Sequence, residues 1–171
     1  AALLSALDEG SSTVPQAGPI IGGKQQTGDL HPSTNPARLS DVVGECVHAT
    51  EAHVDHALEL ALAAQSAWDR KPATERADIL LRAADLFEKH AAELLGLCVR
   101  EAGKTLPDAV AELREAVDFL RYYAAEAPKT ERDTQARGVI VCISPWNFPM
   151  AIFTGQISAA LAAGNAVIAK P

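Results

Sequence analysis

Aromatic residues are scarce. Phe, Tyr and Trp make up 5% of the 171 residues, too few for the stacking platforms that hold unpaired bases. Positive charge is also short: 15 Lys and Arg stand against 22 Asp and Glu, a formal net charge of −7. That balance argues against nucleic acid or an anionic membrane as partner. No apolar run approaches the ~20 residues of a membrane-spanning helix. The opening AALLSALDEG has neither a basic n-region nor a long h-region, so a signal peptide is not expected. With no initiating Met, this beginning reads as internal to a longer chain. The three cysteines, Cys46, Cys98 and Cys142, lie far apart without CxxC spacing. A reducing compartment, the cytoplasm, is expected, and disulfides are not. His53 and His56 can share a helix face with His48 nearby, yet no Cys or carboxylate pattern completes a ligand set, so no metal is expected. There is no internal repeat. The G-x-G-x-x-G and Walker fingerprints of ordinary nucleotide sites are missing as well.

What remains is a globular composition, 48% hydrophobic and 22% charged, of one domain's length or slightly more. Residues 1 to about 36 read as a linker and turn-rich entry, punctuated by Gly10, Pro15, Gly18-Pro19 and Gly22-Gly23. Ile20-Ile21 suggests one arm of a short hairpin, and Asp41 to His48 reads as a strand. Four helices follow. The first starts at Thr50 as N-cap with Glu51 in its first turn, and carries an apolar stripe of Val54, Leu58, Ala61, Leu62 and Trp68. The second runs from after Pro72 to about His90 and buries Leu80, Ala83, Ala84 and Phe87. The third, Ala91 to Ala102, stops at Gly103-Lys104. The fourth runs from Pro107 to about Ala127 with a 3-4-3-4 stripe, Val110, Leu113, Val117, Leu120 and Ala124. That spacing lasts only two heptads, which fits a helix packed on a globular body better than a coiled coil. At 100° per residue Glu115 lies opposite this stripe, with Phe119 and Tyr122 on the same second face. Another element or a ligand could cover that face. Glu is also the usual surface residue, and single exposed aromatics are common.

The chain closes with Gly138 to Pro171. A β-branched run, Val139 to Ile143, leads into Ser144-Pro145-Trp146-Asn147-Phe148-Pro149. A helix of about 13 residues ends at Gly164-Asn165, and a second run, Val167-Ile168-Ala169, completes a βαβ pattern. Pro149 suits the first helical turn, and Gly164 and Asn165 suit a left-handed helix end. Ligands of open parallel sheets bind at the carboxyl ends of the strands. The loop after the first strand and Lys170 after the second share that edge. A lone lysine there is ordinarily solvated surface; beside Asn147 and Trp146 it becomes a candidate for a hydroxyl or phosphate contact.

The stretch SPWNFPMAIFTGQISAALAAGNAVIAKP resembles the strand–loop–helix–strand of the aldehyde dehydrogenase superfamily, whose NAD(P) fold carries PWNFP and K-P in place of the glycine fingerprint. AIFTGQ after PWNFP is similar to the glutamate-semialdehyde (pyrroline-5-carboxylate) dehydrogenase domain of the bacterial proline utilization A proteins. The resemblance reaches back to about residue 34. It implies an α/β, aldehyde-dehydrogenase-like fold: an N-terminal helical layer plus the first βαβ unit of a Rossmann-type NAD-binding domain, incomplete. The expected division is a turn-rich entry over 1–33, the strand and helical part over 34–137, and the βαβ unit over 138–171.

The same resemblance assigns roles. The family's oxyanion-holding asparagine maps onto Asn147, its adenosine-ribose lysine onto Lys170, and its cofactor-lining loop onto Ser144, Pro145 and Trp146. Glu115, Phe148 and Ile152 fall where it places the wall of the aldehyde tunnel. There a carboxylate would face the ammonium of glutamate semialdehyde. NAD is the expected cofactor, with NADP open, and the full-length protein is expected to be a homo-oligomer acting on a small aldehyde. None of the three cysteines matches the family's nucleophile, and its general-base glutamate also falls beyond residue 171. Cys142 sits within an apolar run, where a buried thiol is ordinary. The expectation is therefore the N-terminal portion of an NAD-dependent dehydrogenase converting L-glutamate γ-semialdehyde to glutamate in proline catabolism. As residues 1–171 alone it should be inactive, with a naked sheet edge. Another semialdehyde or aldehyde dehydrogenase, or a non-catalytic assembly module on the same scaffold, stands as the alternative.

Overall fold

The computed structural model describes residues 14–130 and 135–171. Among the described residues, five strands come first: β1 (Gln16–Ala17), β2 (Ile20–Ile21), β3 (Lys24–Gln25), β4 (Leu30–Asn35) and β5 (Arg38–Val47). β2 and β3 form the expected hairpin, and Gly22 and Gly23 both take positive φ, 58° and 75°. A two-residue turn that follows strand twist requires that conformation. β5 pairs antiparallel with β4 and parallel with β1 in a three-stranded sheet. The sequence had suggested turns before residue 36 and a strand from Asp41. In the structure the strand begins at Arg38, and LHPSTN is its partner. Pro, Ser and Asn give that segment little strand propensity of its own. It pairs at a sheet edge, with register breaks at Ser33/Thr34 and Thr34/Asn35.

Four helices follow: α1 (Glu51–Asp69), α2 (Ala73–Lys89), α3 (Ala91–Arg100) and α4 (Leu106–Thr130). Thr50 caps α1 as expected. Its hydroxyl accepts from the His53 backbone N–H while the His53 ring accepts from the Thr50 N–H, both at 3.3 Å. Gly103, with φ 65°, ends α3, and the Lys104 N–H closes back onto the Cys98 carbonyl. The core lies between α2, α3 and α4. It is built from Leu80 and Ala84 of α2, Leu95 of α3, and Leu113, Val117 and Leu120 of α4. Of the stripe expected on α4, only Val110 is less than fully buried.

The expected α1 stripe is corrected. α1 buries no residue, and Val54 and Leu62 remain 52% and 61% exposed. Periodicity identifies an apolar face, but coverage depends on what else packs there. α1 is instead fastened by polar groups. Trp68 Nε1 donates to the Leu161 carbonyl at 3.1 Å, and Gln65 bonds both the Gly164 carbonyl and the Ala166 N–H.

The last unit is β6 (Val139–Ile143), α5 (Ala151–Ala162) and β7 (Ala166–Lys170). β6 and β7 pair in parallel, from Val139 opposite Ala166 to Ile143 opposite Lys170. Two details differ from expectation. α5 starts later than Pro149 suggested: Met150 is its N-cap, and its carbonyl accepts the first helical bond, from Thr154. Gly164 alone takes the left-handed conformation, φ 84°, and Asn165 does not. Asn165 turns its buried amide to structural use. Its Oδ1 accepts from the Arg137 and Gly138 N–H groups at 2.7 and 3.2 Å, and its Nδ2 donates to the Ala160 carbonyl. One side chain thereby ties the start of β6 to the end of α5.

α5 lies against α4 through Gly155. A Cβ there would stand 2.8 Å from the Phe119 ring. Phe119, on the second face of α4, is thus covered by α5, whereas Tyr122 is 59% exposed. Among the described residues no helix is long and apolar enough to cross a membrane, and no group of three potential metal ligands occurs.

Two outcomes follow from this packing. Gly155→Ala forces Phe119 out of its place and should destabilise the α4–α5 contact by about 1–3 kcal/mol, the usual range for overpacking. Differential thermal melting of wild-type and variant full-length protein reads the loss, and Phe119→Leu in the same background should recover part of it.

The second outcome concerns Asp41, which joins the N-terminal sheet to α3. It accepts from Arg100 Nη2 at 2.7 Å and Asn35 Nδ2 at 3.0 Å, with Arg38 Nη2 at 3.3 Å. The Arg100 hydrogen bond first, then that of Asn35, hold its carboxyl at about 2, below the ordinary 3.8. A depressed folded value stabilises fully above the unfolded value and is lost as pH falls through the folded one. Hydrogen exchange in β4 and β5 should be slower in wild type than in Asp41→Asn at neutral pH. That ratio should hold down to about pH 4 and shrink towards unity near pH 2.

Candidate active site

The two parallel strands stop in register, so the residues that follow them meet at one edge. Ser144, just past β6, donates both its backbone N–H and its hydroxyl to the Lys170 carbonyl, each at 3.2 Å. Ser144 is buried, and its side chain serves to lock the two strand ends together. Beyond it the chain turns over Pro145–Phe148, closed by the Phe148 N–H on the Pro145 carbonyl at 3.2 Å. Pro145, Trp146 and Asn147 are exposed on this turn, Trp146 by 82%. Among the described residues the Asn147 amide makes no hydrogen bond, so its donors are free for a ligand. The Lys170 ammonium is exposed at the same edge and donates to the Pro171 carbonyl.

Directly behind the turn stands a group that periodicity did not single out. Glu112 of α4 is 2% exposed. Its Oε2 accepts from the Met150 and Ala151 N–H groups at 3.1 and 2.8 Å, and its Oε1 accepts from Lys104 Nζ at 2.9 Å. The Lys104 ammonium also lies over the Phe148 ring, 4.7 Å from its centroid. The first N–H groups of a helix lack partners within it, and a negative charge there is favoured by the helix dipole. α5 offers no side-chain cap and no acidic residue of its own in the first turn. Glu112 supplies both from 38 residues earlier. One signal for it was present: Ala109, Glu112, Leu113 and Ala116 follow the i, i+3, i+4, i+7 spacing of a buried face. Lys104, read above as part of a helix stop, is the cation of this pair.

Glu115 is one turn along α4 from Glu112 and four residues before Phe119. These two neighbours meet the start and the middle of α5, so Glu115 lies on the same side of α4 between them. It is exposed, and no group among the described residues bonds it. Ile152 is half-buried in the first turn of α5, and Phe148 is 39% exposed. Of the anticipated tunnel residues, Phe148 and Ile152 thus stand at the start of α5, and Glu115 is an exposed residue of α4.

Cysteine chemistry is poorly served here. Cys142 is buried in β6, and burial pushes its thiol up. The Cys98 thiol is raised to about 11, by burial first and by the charge of Glu112 second. Nucleophilic thiols need the opposite, exposure and a lowered pKa. Cys46 lies in β5, within the N-terminal sheet. A dinucleotide is better suited to the edge. An exposed lysine, an unpaired amide and an exposed indole all follow the carboxyl ends of the parallel pair, the edge at which ligands of open parallel sheets bind.

Comparison with known proteins bears on this arrangement. Residues 23–171 match the aldehyde dehydrogenase family. The bifunctional protein PutA of Salmonella typhimurium is 50% identical over 174 residues, covering all of this chain and 13% of that protein. PutA from Bdellovibrio bacteriovorus, inactivated by N-propargylglycine, superposes with a TM-score of 0.94 at 31% identity, over 99% of this chain and 19% of that one. A 1-pyrroline-5-carboxylate dehydrogenase from Thermus with bound NAD gives 0.93 at 36% identity, over 99% and 36%. The chain thus spans well under half the length of each of these proteins. The mixed helix and strand architecture, the parallel β6–β7 pair with its PWNFP turn, and the match over residues 23–171 together show that this chain belongs to the aldehyde dehydrogenase family.

Proposed function

We propose that this chain is the N-terminal part of an NAD-dependent dehydrogenase that oxidises L-glutamate γ-semialdehyde to glutamate. The observation that carries the reading is that the unpaired Asn147 amide and the exposed Lys170 follow the carboxyl ends of the two paired parallel strands, β6 and β7. Support comes from relatives named PutA and 1-pyrroline-5-carboxylate dehydrogenase, one of them holding NAD. When bound, the dinucleotide supplies a hydride acceptor.

The residues of this chain divide the remaining work. Asn147 donates its amide N–H to the oxygen of the aldehyde as that oxygen gains negative charge, and a donor already in place costs no reorganisation at that moment. Lys170 donates to ribose hydroxyls, and Trp146 presents a flat apolar face to the cofactor. Ser144 fixes the spacing of the two strand ends on which these groups ride. Glu115 faces the ammonium of the substrate, with Phe148 and Ile152 forming apolar wall around the aliphatic portion. We assign the nucleophile and the general base to other parts of the family fold.

Two measurements on the full-length enzyme test the assignment. Asn147→Ala should lower kcat by roughly 10²–10³ with little change in the Michaelis constant for NAD, since an oxyanion donor acts in the transition state. Lys170→Ala should instead raise that constant, because a ribose contact persists through the cycle. If the two variants exchange phenotypes, the roles are wrongly assigned.

Glu115 sets the substrate. A hydrogen bond between charged groups contributes about 1.5–3 kcal/mol. The same carboxylate repels an aldehyde whose remote end carries only a negative charge. Glu115→Ala should therefore lower the kcat/KM ratio of glutamate semialdehyde to succinate semialdehyde by about tenfold or more. An unchanged ratio would make Glu115 a solvated surface residue.

A further inference from the structure

We propose that Glu112 and Lys104 form a positioning pair for the turn that carries Asn147, so that this part-buried ion pair sets the rate of the chemical step. The inference rests on the role given to Asn147 above. Asn147 has no side-chain partner among the described residues, so only the backbone on either side of it fixes where its amide points. On the β6 side that backbone is held by Ser144 on the strand end. On the α5 side it is held by Glu112, whose one carboxylate oxygen receives the N–H groups of Met150 and Ala151. The other oxygen is taken by Lys104, and the same ammonium covers Phe148, the residue next to Asn147.

Both carboxylate oxygens are therefore engaged, in a place with 2% exposure. A plain brace between α4 and α5 needs none of this, because Phe119 against Gly155 and the apolar core already join the two helices. A buried charge is retained at a desolvation cost. Here it returns a fixed origin for α5 and for the three residues that precede it. Displacing a catalytic group by about 1 Å costs on the order of 10²-fold in rate, which makes such a fixed origin consequential.

The test uses the full-length enzyme and reads kcat, both Michaelis constants and thermal stability. Glu112→Gln retains one acceptor oxygen but loses the charge and turns an N–H₂ towards Lys104. It should lower kcat by about 10–100-fold and leave the Michaelis constant for NAD within about twofold. Lys104→Met, which keeps the acceptor, should show the same split with a smaller loss, and it stands in if Glu112→Gln fails to fold. In an Asn147→Ala background either substitution should lower kcat by less than about threefold more, because a residue acting through Asn147 has nothing left to position. Gly155→Ala disturbs the same helix pair away from the turn and should cost stability with kcat within about twofold. Equal losses of kcat with and without Asn147, or a Gly155→Ala effect on kcat as large as that of Glu112→Gln, would overturn the proposal. If Asn147→Ala itself leaves kcat unchanged, it is the reading of the site that fails.

Discussion

The structure depends on how α5 is held at its two ends. Its sequence, AIFTGQISAALA, contains no charged residue and no capping side chain. The unpaired N–H groups at its start and the unpaired carbonyls at its end must be satisfied from outside. Glu112 of α4 meets the start. Arg76 of α2, 5% exposed, meets the end, donating Nε to the Ala162 carbonyl at 3.1 Å and Nη1 to the carbonyls of Asp69 and Lys71. A carboxylate at the positive end and a guanidinium at the negative end both act in the favourable sense on the helix dipole. Two buried charges on two different helices thereby fix one small apolar helix in depth and direction.

The site inherits its geometry from that anchoring. With α5 fixed, Gly164, Asn165 and Gln65 fix the start of β7, and Asn165 draws the start of β6 beside it. The register of the parallel pair follows and brings Ser144 opposite the Lys170 carbonyl. The turn over Pro145–Phe148 is then suspended between a locked strand end and a capped helix start. Its exposed side chains need no internal partner. That combination of a rigid frame and free functional groups suits the role proposed above for Asn147. Small residues allow the close packing of the helices around this frame. Gly155 admits the Phe119 ring, and the alanines along α2 and α4 let the helices approach closely enough for Glu112 and Arg76 to reach.

Much of the helical layer was legible in advance because local signals agreed. Thr50, Pro72, Gly103 and Gly164 mark boundaries through backbone and capping chemistry, which acts within a few residues. The 3-4-3-4 stripe of α4 marks its core face. β4 was not legible, since LHPSTN becomes a strand only by pairing with β5. Nor was the fate of the α1 stripe, whose periodicity is sound but which is only half covered, at Ala61 and Trp68, with no residue fully buried. Within the site, Asn147 and Lys170 stood out because PWNFP and K-P are local words in the sequence. Glu112 did not, because its importance is a relation with residues 38 and 39 positions away.

By itself the sequence determined which segments are helices, where the βαβ unit falls, and which polar residues stand at the carboxyl edge of its strands. These follow from periodicity, turn chemistry and capping, all of them short-range. Only the tertiary structure decided which partners the carboxylates of α4 find. Periodicity places Glu112 on the buried face and Glu115 opposite the apolar stripe, but residue type and spacing give neither a partner. What supplies partners to one and not the other is the location of the N-terminus of α5. Its N–H groups and the Lys104 ammonium offset the desolvation of one carboxylate, while the other, a turn further on, has no such partners and remains in solvent.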